Sequence, residues 1–160
     1  MIFWLFFIPF FMKSIKSSLE SINYKIIHTP ISNILPIKLH HIVLLYNNNG
    51  MYSVDFTPKQ TKTFFLQLLF GQNILGEIRV RDCKHFEGVD YEKMFGEMNM
   101  WNMNYNDSVI LTEKTLNNIT DQNFKKLLTK IYTYPKKMNL YMNNCQHFSH
   151  FVTSFKEISD

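Results

Sequence analysis

Leu39-His40-His41-Ile42-Val43-Leu44-Leu45-Tyr46-Asn47-Asn48-Asn49-Gly50-Met51-Tyr52-Ser53-Val54-Asp55-Phe56 is the stretch that decides the fold. Leu39–Tyr46 is dense in branched apolar residues, as a buried strand requires. Asn47-Asn48-Asn49-Gly50 is built from residue types that tolerate positive φ and reads as a turn. Tyr52–Phe56 returns as a second strand, and Thr57-Pro58 ends it, because proline cannot donate to the ladder. Adjacent strand residues face opposite sides, so only one of His40 and His41 can serve a site on a given face. A turn of three residues centred on Asn48 sets His41 opposite Asp55, and opposite residues share a face. A turn one residue longer sets His41 opposite Phe56 instead.

Outward from the hairpin, the spacing predicts a helix over Thr61–Phe70, with Phe64, Phe65, Leu68 and Leu69 on one side and Gly71 closing it. Ile74–Arg81 reads as a strand in which Ile78 and Val80 alternate with Arg79 and Arg81, one face buried and the other polar. Asp82–Asp107 lacks periodicity and reads as loop with short helical turns. Thr112–Asn118 is a short helix, and Asp121–Tyr134 a longer one. The longer one carries Phe124, Leu127, Leu128 and Ile131 at helical spacing, with Thr120 as N-cap and Pro135 as stop. On the other side of the hairpin, Ser14–Ile26 fits a helix with Ile15, Leu19 and Ile22 aligned. These elements predict an α+β fold: a small antiparallel sheet with helices packed on it.

With 46% hydrophobic and 19% charged residues in 160, the chain can bury one sizeable core. We expect one domain over residues 30–160, preceded by an apolar segment with its flanking helix over residues 1–26. Met1–Met12 reads MIFWLFFIPFFM, too short for a spanning helix and broken by Pro9. It reads as a membrane-dipping anchor, a degenerate signal-anchor or a core segment. Lys13, Lys16 and Lys25 beside it suit an anionic membrane surface. Asn106-Asp107-Ser108 and Asn118-Ile119-Thr120 match the glycosylation pattern, which matters only in an exported chain. The net charge of +4 is spread over dispersed lysines, so nucleic acid is not an expected partner. Two cysteines, Cys83 and Cys145, give neither a disulfide framework nor metal-type spacing. A reducing, intracellular setting follows, with membrane association through the N-terminus, and no cofactor or metal is expected.

The second informative stretch is Tyr141-Met142-Asn143-Asn144-Cys145-Gln146-His147-Phe148-Ser149, followed by Phe151, Val152 and Phe155. The apolar stripe predicts a helix that opens at Cys145. Unpaired N–H groups and the positive end of the dipole there favour a thiolate, and hence a nucleophile. Two residues along a helix is about 200° around it, so His147 turns away from the thiol, and His150 is about 140° off. The base must come from elsewhere, and the hairpin supplies His41, with His40 as the alternate and Asp55 to orient the imidazole. The Cys145 N–H would hold the oxyanion, with Asn144 and Gln146 bordering that region. Asp82-Cys83-Lys84-His85-Phe86 has the same Cys-x-His-Phe shape but no apolar stripe after it, so Cys83 reads as structural.

Asn144-Cys145-Gln146-His147-Phe148 resembles the Asn-Cys-x-His-Phe signature of the circularly permuted papain-like thiol proteins. These comprise the PPPDE peptidases, which act on ubiquitin-like conjugates, and the lecithin–retinol acyltransferase-like group with its NlpC/P60 relatives. In both, a strand histidine precedes the cysteine, and the cysteine opens a helix. The resemblance covers the hairpin and the last twenty or so residues. It implies a permuted papain-like fold and a thiol hydrolase or acyltransferase working on an amide, isopeptide or ester, with Cys145 and His41 as the pair. Its partner would be a ubiquitin-like conjugate or a lipid. A looser resemblance links the chain to small membrane-linked proteins of baculoviruses and related insect viruses. It carries the alternative of a non-catalytic, membrane-associated structural or adaptor protein.

Overall fold

The computed structural model describes residues 21–31, 38–59, 63–83, 88–98, 100 and 110–155. The hairpin forms as β2 (His40–Asn47) and β3 (Gly50–Pro58), antiparallel with Ile42 opposite Asp55. Its turn is the two-residue Asn48-Asn49, closed by Asn47 opposite Gly50. That register corrects the expectation that His41 lies opposite Asp55: the ladder extended by one residue sets His41 against Phe56. No non-glycine residue takes positive φ among the described residues, so the turn does not use the left-handed conformation. Asn47 Oδ1 instead accepts from the Asn49 and Gly50 N–H groups at 2.8 and 3.1 Å. An Asx side chain thus stands in for a backbone turn.

β1 (Asn23–Thr29) pairs with β2, β4 (Ile74–Asp82) with β3, and β5 (Ile110–Leu111) with β4, giving an antiparallel meander in chain order. β6 (Lys137–Met138) joins the start of β4. The helix expected over Ser14–Ile26 is corrected from Asn23 onward, where the chain is a strand, so β1 belongs to the sheet and not to the N-terminal segment. Ile27 and Thr29 are buried on one side, which two-residue alternation explains. The Met1–Met12 run, the rest of that helix and the Asn106–Ser108 pattern lie outside the described residues. Among the described residues no helix is long and apolar enough to cross a membrane.

The fold class is α+β, with α1 (Thr63–Leu69), α2 (Tyr91–Glu97), α3 (Gln122–Ile131) and α4 (Cys145–Thr153) set against the sheet. Gly71, at φ 71°, closes α1 as expected. Leu69, assigned to the inward side of α1, is exposed, while Leu68 is buried. Glu113–Asn118 is a 3₁₀ turn. The N-cap of α3 is Asp121 and not Thr120: its carboxylate accepts from the Asn123 and Phe124 N–H groups. Asp121 also accepts from Asn47 and Asn49, tying the hairpin turn to α3.

The sheet has two unlike faces. On one, Val43, Leu45, Val54, Phe56 and Val80 pack with Phe124, Leu128 and Ile131 of α3 and Phe148 and Val152 of α4. Phe56, Tyr134 and Phe148 meet ring to ring, with centroids 5.0–5.7 Å apart. On the other, Ile27, Ile42 and Leu44 pack with Phe95 of α2 and Cys83. This second face also holds the buried polar residues Thr29, His40, Ser53, Asp55, Thr57 and Arg81.

Candidate active site

Asparagines build the approach to Cys145. Asn139 and Asn143 exchange backbone hydrogen bonds at 2.9 and 3.1 Å, and Asn139 Oδ1 accepts from the Tyr141 and Met142 N–H groups. Asn143 Nδ2 donates to the Lys137 and Pro135 carbonyls, and Tyr134 Oη donates to Asn143 Oδ1. The next asparagine, Asn144, is the N-cap of α4: its Oδ1 accepts from the Gln146 and His147 N–H groups at 2.8 and 3.2 Å. Its Nδ2 donates to the Leu140 carbonyl at 2.6 Å. The Asn144 side chain is therefore a cap, with its Oδ1 on the helix start and one of its two Nδ2 hydrogens on Leu140. Gln146 is exposed, and its described bonds are made by its backbone. His147 completes a capping box with Asn144, which explains its place in the motif without a catalytic role.

Cys145 is the first residue of the helix, and its half-buried thiol donates to the Leu39 carbonyl at 3.6 Å. The start of β2 thus lies beside the Cys145 thiol. His40 is the imidazole beside the thiol. Its ring is 1% exposed, and its Nε2 lies 2.9 Å from Asp55 Oδ2. An ionised carboxylate only accepts, so Nε2 carries a proton and Nδ1 is the nitrogen left to take one. Nδ1 has no partner of ordinary hydrogen-bond geometry among the described residues. Yet Cys145 and His40 sit close enough to shift each other's titration. Such a loose thiol–imidazole contact is usual without substrate.

The electrostatics favour an ion pair. Burial raises the Cys145 pKa, but the hydrogen bond and charge of His40, with the His41 backbone N–H, outweigh it and hold the thiol below its ordinary value. Burial pulls His40 down, but Asp55 first and Cys145 next outweigh it and raise its pKa. Asp55 is fully buried, which alone would raise its pKa. The Arg79 and Arg81 guanidiniums and His40 hold it well below the carboxylate range. Arg81 Nη1 donates to Oδ1 at 2.7 Å, and Arg79 Nε donates to Oδ2 at 3.1 Å, with Arg79 Nη2 also on Oδ2.

The structure brings Cys145, His40 and Asp55 together and does not bring His41 to them. His41 lies on the face covered by α4, where its Nδ1 meets Ser149 Oγ at 3.0 Å. Its ring also stands edge-on to His28, with centroids 4.4 Å apart. The expected His41–Asp55 pair is thus corrected to His40–Asp55. Arg79 and Arg81, read from the sequence as the polar face of a strand, are site residues that the sequence did not reveal. Their two-residue spacing opposite Asp55 was the available signal. Cys83 is buried, and burial raises its thiol pKa, as a structural cysteine requires. No cluster of three or more metal-binding side chains occurs among the described residues. Compared with known proteins, the chain matches no family model, no curated protein and no solved structure.

Proposed function

We propose that the protein is a cysteine-dependent hydrolase or acyltransferase acting on an amide, isopeptide or ester, with Cys145 as nucleophile, His40 as base and Asp55 orienting His40. The observation that carries this reading is the buried His40, bonded to Asp55 through Nε2 and coupled to the thiol at the N-terminus of α4. The thiolate attacks the carbonyl carbon, and the carbonyl electron pair moves onto oxygen. The Cys145 N–H, first in its helix and outside the i→i−4 ladder, is the donor available to stabilise that oxyanion. Collapse expels the amine or alkoxide, which takes its proton from the His40 imidazolium. Neutral His40 then removes a proton from water, or from an acceptor hydroxyl or amine, which attacks the thioester and restores the thiol.

The order of the parts supports a permuted papain-like arrangement, with the strand histidine about a hundred residues before the helix-opening cysteine. Substrate follows the same resemblance: a ubiquitin-like conjugate or a lipid. Leu39, whose carbonyl accepts from the thiol, is 48% exposed, so an apolar side chain stands open to solvent next to the site. The exposure of Phe70 and Leu75, with Lys137 paired to Leu75, favours a second reading: a non-catalytic adaptor docked on a membrane.

The test is iodoacetamide labelling of the full chain across pH, with the modified cysteine located by mass spectrometry. The enzyme reading expects Cys145 to be alkylated well below the pH at which an ordinary thiol ionises, and hydrolysis of thioester or acyl-amide reporters to vanish in Cys145→Ala. A Cys145 profile like that of a free thiol, about 8.5, overturns it in favour of the adaptor.

A further inference from the structure

We propose that Arg81 and Arg79 are positioning residues of this site, acting through Asp55 to hold His40 in the tautomer that can take the thiol proton. The inference rests on the thiol-enzyme reading and adds to it the means by which the base is kept competent.

The register dictates the arrangement. Arg79 lies directly opposite Asp55 and Arg81 opposite Ser53, so both guanidiniums fall on the Asp55 face of the sheet. Arg81 is 1% exposed, an unusual depth for a group that carries its charge at every accessible pH. Its Nη1 takes Oδ1 at 2.7 Å, while Oδ2 is shared by His40 at 2.9 Å and Arg79. Arg79 also donates to the Met100 carbonyl at 3.2 Å, so it is itself anchored. A carboxylate held at both oxygens cannot rotate about its terminal torsion, and the direction left for His40 is fixed.

Two cations around one buried anion also decide its protonation. A carboxyl group with no exposure takes up a proton unless cations stand beside it. A protonated Asp55 with its hydroxyl turned to His40 would donate to Nε2, which can accept only without a proton of its own. His40 would answer by moving its proton to Nδ1, and the nitrogen next to the thiol would no longer be a base. The arginines therefore guard the tautomer as well as the angle. A second role, direct stabilisation of the thiolate, is not needed: His40 and the His41 N–H are the groups that lower the Cys145 pKa.

The test measures the pH profile of Cys145 alkylation and the His40 ring-nitrogen NMR signals. The proteins are wild type, Asp55→Asn, Arg81→Met, Arg81→Lys and Arg79→Met, all as the full chain. Arg81→Met and Asp55→Asn are expected to move the alkylation profile up to the ordinary thiol range. The rate near pH 6 should fall by about tenfold, and the neutral His40 proton should pass from Nε2 to Nδ1. Arg81→Lys, which keeps the charge and loses the fork, should recover part of the shift. Should Arg81→Met fail to fold, Arg79→Met decides, since Arg79 is 16% exposed at its side chain. A shifted profile supports the inference. A wild-type profile and tautomer retained in every folded arginine variant overturns it while leaving the enzyme reading intact. An ordinary thiol profile in the wild type itself overturns both.

Discussion

Replacing His40 by alanine, with His41→Ala as its counterpart, separates the two adjacent histidines. In His40→Ala the Cys145 thiol loses the group that lowers its pKa most and returns toward a free cysteine. A thiol of pKa about 8.5 is only ~0.3% thiolate at pH 6. Full ionisation of the thiolate–imidazolium pair sets the ceiling on the gain in population at ~300-fold. A low-pKa thiolate is a weaker nucleophile, with a Brønsted slope of about 0.45, which reduces the net advantage in alkylation to ~10-fold. On a true substrate the missing proton donor should cost a further ~10²–10⁴-fold. His41→Ala removes the hydrogen bond to Ser149 and should cost about 1 kcal/mol of stability with the Cys145 profile unchanged. The sign of the pH window follows from the two shifts. Cys145 is lowered, so its thiolate persists below the ordinary thiol pKa. His40 is raised, so its imidazolium persists above the ordinary imidazole pKa. The reactive pair fills the interval between, and His40's stabilisation is lost as pH rises through its folded pKa. Iodoacetamide rates from pH 5 to 9 at the Cys145 peptide, with the buried Cys83 as internal reference, give the comparison. A profile that collapses in His41→Ala and survives in His40→Ala refutes the assignment.

Other outcomes follow from the same structure. Gly76→Ala would drive a methyl group into the fully buried Phe56 ring, and denaturant titration should show a loss of about 1–3 kcal/mol. Asn144→Ala removes the cap of α4 and should lower stability by about 1 kcal/mol, read as a fall of ~2–4 °C in Tm. Ellman's reagent should titrate one cysteine quickly in the native chain and both in denaturant, because Cys83 is 3% exposed. His41 is lowered to about 4, by burial first and then by His28, His40 and His150. From about pH 6.5 down to that value the unfolded chain binds a proton that the folded one refuses, so His41 makes stability fall with acid. Melting His41→Asn beside the wild type should show a flatter acid limb in the variant.

The hairpin was legible because its signals are local: branched strands, an asparagine-glycine turn, a closing proline. Its register was not, because an Asn-rich turn closes with two residues as readily as three, and that single-residue difference exchanges His41 for His40. β1 was hidden for a related reason. Ile22 and Ile26 are four apart, which fits a helix, and only the pairing with β2 makes Ile27 and Thr29 an inward row. Cys145 was recognisable from the stripe behind it and the asparagines before it. The alternation of Arg79 and Arg81 showed that they share a face. It could not show that Asp55 and α2 cover that face, so the buried Arg81 and half-buried Arg79 looked like solvent-facing charge.

Beside its apolar packing, α4 makes two polar contacts with β2 and the residue before it, the Cys145 thiol on the Leu39 carbonyl and Ser149 Oγ on His41 Nδ1. Four residues of helix rise about 6 Å, and two residues of strand about 6.6 Å. The two spacings agree, so helix and strand mesh like a pair of gear teeth. Were β2 to slip by one position, both teeth would disengage together, and the imidazole presented beside Asp55 would change with them. Under the proposed pairing of Cys145 with His40, reactivity of the thiol is expected to gauge correct strand alignment, readable in a test tube without any substrate: misaligned chains would carry the same thiol but leave it protonated and slow.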